Sequence, residues 1–265
     1  MGAGPEALLD AGLQRELRES GHRVYLKIAE LPADGWHAEI QTSFELMRML
    51  SAAVREAREA NRLPIVLAGN CNTAVGTMAG LGTSRTGVVW FDAHADFNTP
   101  DTTTSGFLDG TAMSILTGRC WTQLASTIPD FKPVPEESVC LIGVRDVDRE
   151  ERRLLDASEI AVIEPDQIRS DLMRRLQTVS NRVDSLYVHM DLDVLDIGVA
   201  PANQFAVAGG LTLEDLEYAL DKIADNSRLG GITLSAYDPH SDSGGEAARA
   251  ALRLISTAAR LAKAS

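Results

Sequence analysis

Two short acidic runs hold the residues best suited to chemistry in this chain: Asp92-Ala93-His94-Ala95-Asp96 and Asp191-Leu192-Asp193. Each follows an apolar run, Gly87-Val88-Val89-Trp90-Phe91 in the first case and Leu186-Tyr187-Val188-His189-Met190 in the second. Runs of this kind form buried parallel strands. Residues two apart in a strand and its immediate extension point to one side, so Asp92, His94 and Asp96 can converge, as can Asp191 and Asp193. Parallel α/β sheets place their ligands beyond the carboxyl ends of the strands, and five ligand groups then face one crevice. Carboxylates with one imidazole suit divalent ions such as manganese, and a carboxylate between two ions can bridge them. The expectation is a two-metal site.

The elements that must position these groups alternate between strand-like and helix-like segments, the pattern of a parallel sheet covered by helices on both faces. Pro5 to Gly21 reads as a helix with Pro in its first turn and Gly at its end, followed by a strand over Val24-Tyr25-Leu26-Lys27-Ile28. Ile40 to Asn61 reads as a long amphipathic helix, Pro64 to Ala68 as a strand, and Val139 to Val144 as another. Asp148 to Ser158, Pro165 to Ser180 and Thr212 to Asn226 read as helices, and Leu229 to Leu234 as a strand. An alanine-rich helix spanning Gly245 to Lys263 packs one apolar face on the sheet. The loop from Phe97 to Gly110 is long and leaves directly from the first acidic run; loops at strand ends carry function, and its hydroxyls and amide suit a small polar ligand such as a carboxylate.

With 265 residues, the chain is expected to form one large α/β domain over residues 1–265 with a sizeable core. The net charge of -13 argues against nucleic acid or an anionic membrane as partner, since both require basic patches. The N-terminus shows neither a long apolar span nor a leader pattern, and the expected location is cytoplasmic. Cys71, Cys120 and Cys140 form no dense framework and fit reduced thiols, with Cys120 and Cys140 packing in the core. His22 and His37 read as surface residues. Gly69 and Gly76 are followed by no Lys-Ser or Lys-Thr pair, which argues against a nucleotide loop.

Taken together, Asp92-Ala93-His94-Ala95-Asp96, Asn98-Thr99-Pro100, Thr103-Thr104-Ser105-Gly106, Gly143-Val144-Arg145-Asp146-Val147-Asp148, and Asp191-Leu192-Asp193-Val194-Leu195-Asp196 with Pro201 resemble the arginase, agmatinase and formiminoglutamase family of ureohydrolases, over nearly the full length. The resemblance implies a three-layer α/β/α sandwich around a parallel sheet, a homo-oligomer (trimer or hexamer), and two manganese ions. One ion would be held by Cys71, Asp92, Asp96 and Asp191, the other by Asp92, His94, Asp191 and Asp193. It implies hydrolysis of a linear amidine or guanidine C–N bond by a metal-bound hydroxide, with Asp96 orienting that hydroxide through a hydrogen bond. Asn98, Thr103 and Ser105 match positions that hold a substrate's α-carboxylate, and Asp146 and Asp148 match positions near its α-amino group. By the same resemblance, the family's usual first strand would lie before Met1.

The chain departs from the family pattern at several places. The usual Gly-Gly-Asp-His-Ser reads Ala68-Gly69-Asn70-Cys71-Asn72, so Cys71 stands where a histidine ligand is expected. A thiolate favours zinc, iron or cobalt over manganese; equally, Cys71 can be a small buried residue beside a single ion. Asp109 replaces the histidine that shuttles a proton to the leaving amine, and serves in acid–base work only if burial raises its pKa. Ala236, in Ser235-Ala236-Tyr237-Asp238-Pro239, replaces an acidic partner of the guanidinium, which makes plain arginine a doubtful substrate. Phe107 and Phe205 suggest a narrower, more apolar pocket, with Asp238 and His240 as replacement polarity or as solvated loop residues. Three readings stay open: a two-metal hydrolase acting on an arginine-like small molecule, a catalytically weakened homologue that binds metal and a small amino acid as sensor or assembly subunit, and a mononuclear zinc or iron hydrolase.

Overall fold

The computed structural model describes residues 1–30 and 38–264; His37 lies outside them. Among the described residues six strands form one sheet: β1 (Ile65–Leu67), β2 (Thr86–Phe91), β3 (Val139–Ile142), β4 (Ala161–Ile163), β5 (Ser185–Asp191) and β6 (Arg228–Ser235). Their order is β1-β6-β5-β2-β3-β4, and every pairing is parallel. The helices are α1 (Gly4–Asp10), α2 (Leu13–Glu19), α3 (Glu39–Glu59), α4 (Thr73–Leu81), α5 (Ala112–Leu116), α6 (Thr122–Ala125), α7 (Arg149–Asp156), α8 (Ile168–Ser180), α9 (Leu213–Asn226) and α10 (Glu246–Ala264). None is long and apolar enough to cross a membrane.

Strand alternation divides the core into two layers. Val89 and Phe91 of β2, with Leu186, Val188 and Met190 of β5, pack against α1, α2, α8, α9 and α10. Val88, Trp90 and Tyr187 face the opposite way, onto α3, α4 and α5. The result is the expected α/β/α sandwich. Both central strands are buried at every residue, which is why their sequences read as continuous apolar runs.

Besides α4 and α6, which have no counterpart in the sequence reading, three elements differ from it. The first helix is two, because Gly12 takes a left-handed conformation (φ 102°) between them that glycine reaches without steric cost. Val24–Ile28 has strand composition but pairs with no strand among the described residues; Tyr25, Leu26 and Ile28 are 62%, 52% and 63% exposed, and side chains tie the segment down instead. Lys27 Nζ donates to Glu56 Oε2 (2.7 Å), and the Arg62 guanidinium lies 4.0 Å from the Tyr25 ring centroid. Conversely, the unanticipated β4 pairs with β3, its three residues being too few to show a periodicity. The remaining predicted helices and strands occur within a few residues of their expected bounds.

Candidate metal centre

The site lies where β2 and β5 end side by side, Trp90 level with His189 and Phe91 with Met190. Parallel register brings the two acidic runs together, and the backbone then locks them. Asp92 Oδ1 accepts from His94 N (2.7 Å), Asp191 Oδ1 from Asp193 N (2.9 Å), and Asp193 Oδ1 from Ala93 N (3.3 Å). The third strand contributes through Gly143, where the chain turns at φ +94°; a Cβ there would stand 2.5 Å from Val194 Cγ2 and 3.3 Å from the Asp92 carbonyl oxygen, so only glycine fits.

Among the described residues, two groups of donor atoms each lie within 4.8 Å of one another: Cys71, Asp92 and Asp191, and Asp92, His94 and Asp193. Asp92 is common to both. The Cys71 thiol contacts Asp191 Oδ2 at 3.0 Å; His94 Nδ1 lies 3.3 Å from Asp92 Oδ1 and 3.5 Å from Asp193 Oδ2. Asp96 belongs to neither group. Its carboxylate is buried with Oδ2 unpartnered, and its backbone sits at φ +49°, a conformation that costs an aspartate roughly 1 kcal/mol or more. A second such residue, Ala236 (φ +61°), ends β6 beside the site. Strained backbone of this kind concentrates at functional positions.

The electrostatics suit a cation. Burial, then the neighbouring carboxylates, raise the proton affinity of Asp96 and Asp191 well above the usual carboxylate range, and that of Asp193 above it. Burial likewise pushes the Cys71 thiol far up, with Asp191 adding to the effect. Burial alone would depress His94, yet Asp92, Asp193 and Asp146 outweigh it and lift the imidazole to about 9. Carboxylates crowded into a dry crevice relax when positive charge arrives, and this donor set, with the orphaned Asp96 oxygen, suits divalent cations. The oxygen and nitrogen donors fit manganese, while the sulfur favours a softer metal.

Asp109 is buried, and its Oδ1 accepts from Asn72 N (3.1 Å). Burial raises its carboxyl to about 7 although the amides of the 70–72 loop oppose the shift, which meets the condition for acid–base work near neutrality. Asn98 Oδ1 accepts from Thr102 Oγ1 (2.9 Å), and its amide faces Asp148 Oδ2 at 3.5 Å. The Thr103 and Ser105 hydroxyls lie 3.5 Å apart on the outer loop. Asp146 and Asp148 are exposed, Asp146 standing 3.9 Å from His94 Nε2 and Asp148 capping α7. Phe107 and Phe205 stack with centroids 5.6 Å apart, joining the loop that carries Asp109 to the one that carries Asn203. His240 is exposed, its amide donating to Asp238 Oδ1 (3.1 Å), as solvated loop residues do. Cys120 and Cys140 are buried as expected, and His22 is partly exposed.

Several supporting residues escape a sequence reading. Asn203 Nδ2 donates to Asp193 Oδ2 (3.3 Å) and to the Ala236 carbonyl (2.8 Å). Buried Glu151 anchors the long loop by accepting from Phe97 N (2.7 Å). Arg145 donates to six carbonyls, of Gly143, Asp193, Val194, Leu195, Val207 and Ala208, fastening the Asp193 turn from outside. Trp90 Nε1 donates to Asp92 Oδ2 (3.0 Å), and His189 lies buried among polar partners. For Tyr187, His189 and Trp90 the available signal was the two-residue period that puts them on the same side as Asp191 and Asp92.

Comparison with known proteins agrees with this architecture. A model of the arginase family matches residues 2–260. An arginase of Staphylococcus aureus is 28% identical over 272 residues, covering 96% of this chain and 89% of that protein. The native structure of the Bacillus caldovelox arginase superposes with a TM-score of 0.85 at 26% identity, covering 97% of this chain and 91% of that one. A formimidoylglutamase of Bacillus subtilis shares the fold, with a TM-score of 0.78 at 19% identity, 100% coverage of this chain and 83% of that one. From its acidic strand ends to its overall architecture, the chain belongs to the arginase family.

Proposed function

We propose that this protein hydrolyses a linear amidine or guanidine C–N bond in an arginine-like small molecule, at a centre for two divalent cations. The observation that carries the reading is the pair of donor groups sharing Asp92 at the ends of β2 and β5. Cys71, Asp92 and Asp191 would hold one cation; Asp92, His94 and Asp193 would hold the other, with Asp96 beside them. When bound, the cations would supply the Lewis acidity that makes water nucleophilic near neutral pH. The unpartnered Asp96 Oδ2 is the acceptor available to orient that water. Asp109, whose carboxyl holds a proton up to about pH 7, can pass it to the departing amine.

At the rim, the Thr103 and Ser105 hydroxyls and the Asn98 amide are donors for a substrate carboxylate, while the exposed Asp146 and Asp148 suit an ammonium group. Ala236 offers no carboxylate to a guanidinium, and the Phe107–Phe205 stack sets an apolar surface beside the mouth. Both favour a substrate less dependent than arginine on a charged partner at its reacting end. The acidic surface and the small site fit a small-molecule substrate, and the resemblance supports a cytoplasmic homo-oligomer.

The test is turnover after loading with manganese, cobalt or zinc, on arginine, agmatine, guanidinobutyrate, guanidinopropionate and formiminoglutamate. Release of urea, formamide or ammonia with the matching amine is expected from at least one. Stoichiometric metal with no product from any would support the second reading, a metal- and amino-acid-binding homologue, which the residues at positions 71, 109 and 236 favour.

A further inference from the structure

The Cys71 sulfur is held from a second direction, away from the carboxylates. Ser235 Oγ lies 3.1 Å from Cys71 Sγ and 3.1 Å from His189 Nε2. His189 Nδ1 lies 3.0 Å from the Tyr187 hydroxyl, which donates to Thr233 Oγ1 at 2.7 Å. The pairing of β5 with β6 builds this row, since His189 is level with Thr233 and Asp191 with Ser235, and alternate residues share a face. Ser235, His189, Tyr187 and Thr233 are all buried. The imidazole also stacks on Trp90, centroids 3.7 Å apart at 19°, and the Trp90 indole donates to the shared ligand Asp92.

Counting hydrogens leaves the row two orientations. Tyr187 has one hydroxyl hydrogen, and its 2.7 Å contact with Thr233 takes it. His189 Nδ1–H then donates to the Tyr187 oxygen, and Nε2 is left to accept from Ser235. When the sulfur is an anion the other neutral tautomer serves: Tyr187 turns its hydroxyl to Nδ1 and accepts from Thr233, Nε2–H donates to Ser235, and the serine hydroxyl donates to the sulfur. The ring is buried with both nitrogens partnered, so both arrangements keep the imidazole fixed behind the serine. Nothing in a purely structural role for His189 requires its row to end on the residue that departs from the family pattern.

We propose that Ser235, fixed by His189, is a positioning residue for the Cys71 sulfur, and that this pair makes the Cys71 side of the site selective for a soft divalent cation such as zinc or cobalt. The inference rests on the metal-site reading above. Groups that orient a metal ligand typically change metal affinity 10–100-fold when removed, and a hydrogen bond to the sulfur stabilises the anionic ligand over the neutral thiol.

The test uses the full chain loaded with cobalt, reading the thiolate-to-cobalt charge-transfer band, together with competition between zinc and manganese followed by metal analysis. Wild type should show the band, and Cys71→Ser should lose it. Ser235→Ala should weaken the band and shift the zinc-over-manganese preference by about tenfold toward manganese, with Ser235→Thr restoring much of both. His189→Phe keeps the stack but not the nitrogen and should follow Ser235→Ala; if it fails to fold, the serine pair of variants decides. The proposal is overturned if wild type shows no band, or if Ser235→Ala retains the wild-type band and metal preference. Neither readout depends on turnover: a protein that passes this test but releases no product defeats the hydrolase reading alone, and an active one indifferent to Ser235→Ala defeats this inference alone.

Discussion

Replacing Arg145 by methionine should separate the turn that carries Asp193 from the rest of the site. The guanidinium is half-buried and spends five N–H groups on six carbonyl oxygens at 2.9 to 3.3 Å. Five of these, on Asp193, Val194, Leu195, Val207 and Ala208, belong to the segments on either side of the Leu195–Leu211 bridge. A charged donor contributes about 1.5–3 kcal/mol per bond where water is excluded. At a half-exposed position water replaces part of this, and about 0.5–1 kcal/mol per bond is a fair net value. Six bonds then give about 4 kcal/mol, and at roughly 2–4 °C per kcal/mol for a domain of this size the midpoint falls by about 10 °C. Methionine keeps the apolar stem, so the loss reports on the bonds rather than on packing. Arg145→Lys should fall about halfway, since one ammonium cannot span both segments. Thermal unfolding followed by circular dichroism measures both. A methionine variant melting within about 3 °C of wild type would refute the bracing role.

The same logic extends to the site's titrating and lining groups. Asp109 is raised from 3.8 to about 7, a difference corresponding to about 4 kcal/mol before relaxation. Being raised in the folded state, it costs no stability below about pH 4 and its full penalty above about pH 7. Metal-free Asp109→Asn should therefore be more stable than wild type at pH 8, by roughly 2–4 kcal/mol, with the gap closing as pH falls to 4 in urea titrations; a constant gap would contradict the assignment. Cys71→His should raise manganese occupancy measured by elemental analysis, whereas an unchanged ratio would mean that position 71 does not contact the metal. Phe205→Ala breaks a stacked pair worth about 0.5–1.5 kcal/mol and should widen the range of substrates turned over, most visibly as lower KM for those with bulkier ends. An identical substrate profile would place the stack outside the binding path.

How far the sequence could be read depended on where each contact is formed. β2 and β5 were legible because strands buried on both faces are written as unbroken apolar runs, and the two-residue period beyond them placed Asp92, His94, Asp191 and Asp193 on the site side. α9 was legible as a helix from Thr212 to Asn226, and in the structure Thr212 and Asp215 cap its first turn. Val24–Ile28 misled because apolar, β-branched composition is necessary for a strand but pairing is a property of its neighbours. His189 was hidden by the same averaging, read as one letter of an apolar run although its imidazole is held by Tyr187 and Ser235. Arg145, Glu151 and Asn203 act on segments up to about sixty residues away, a relation that local spacing does not encode.

The open outer side of β1 bears on behaviour in solution. Among the described residues no strand pairs there, so the N–H and C=O groups of β1 that point away from β6 have no ladder partner, and Tyr25, Leu26 and Ile28 of the unpaired extended stretch also face solvent. An edge of this kind is a template for another chain. Its protection is collective: a net charge of -13 keeps molecules apart at neutral pH and low salt. Titrating toward the isoelectric point of about 4.8, or screening with salt, removes that repulsion while leaving the edge intact, so colloidal stability should fail there before the fold does.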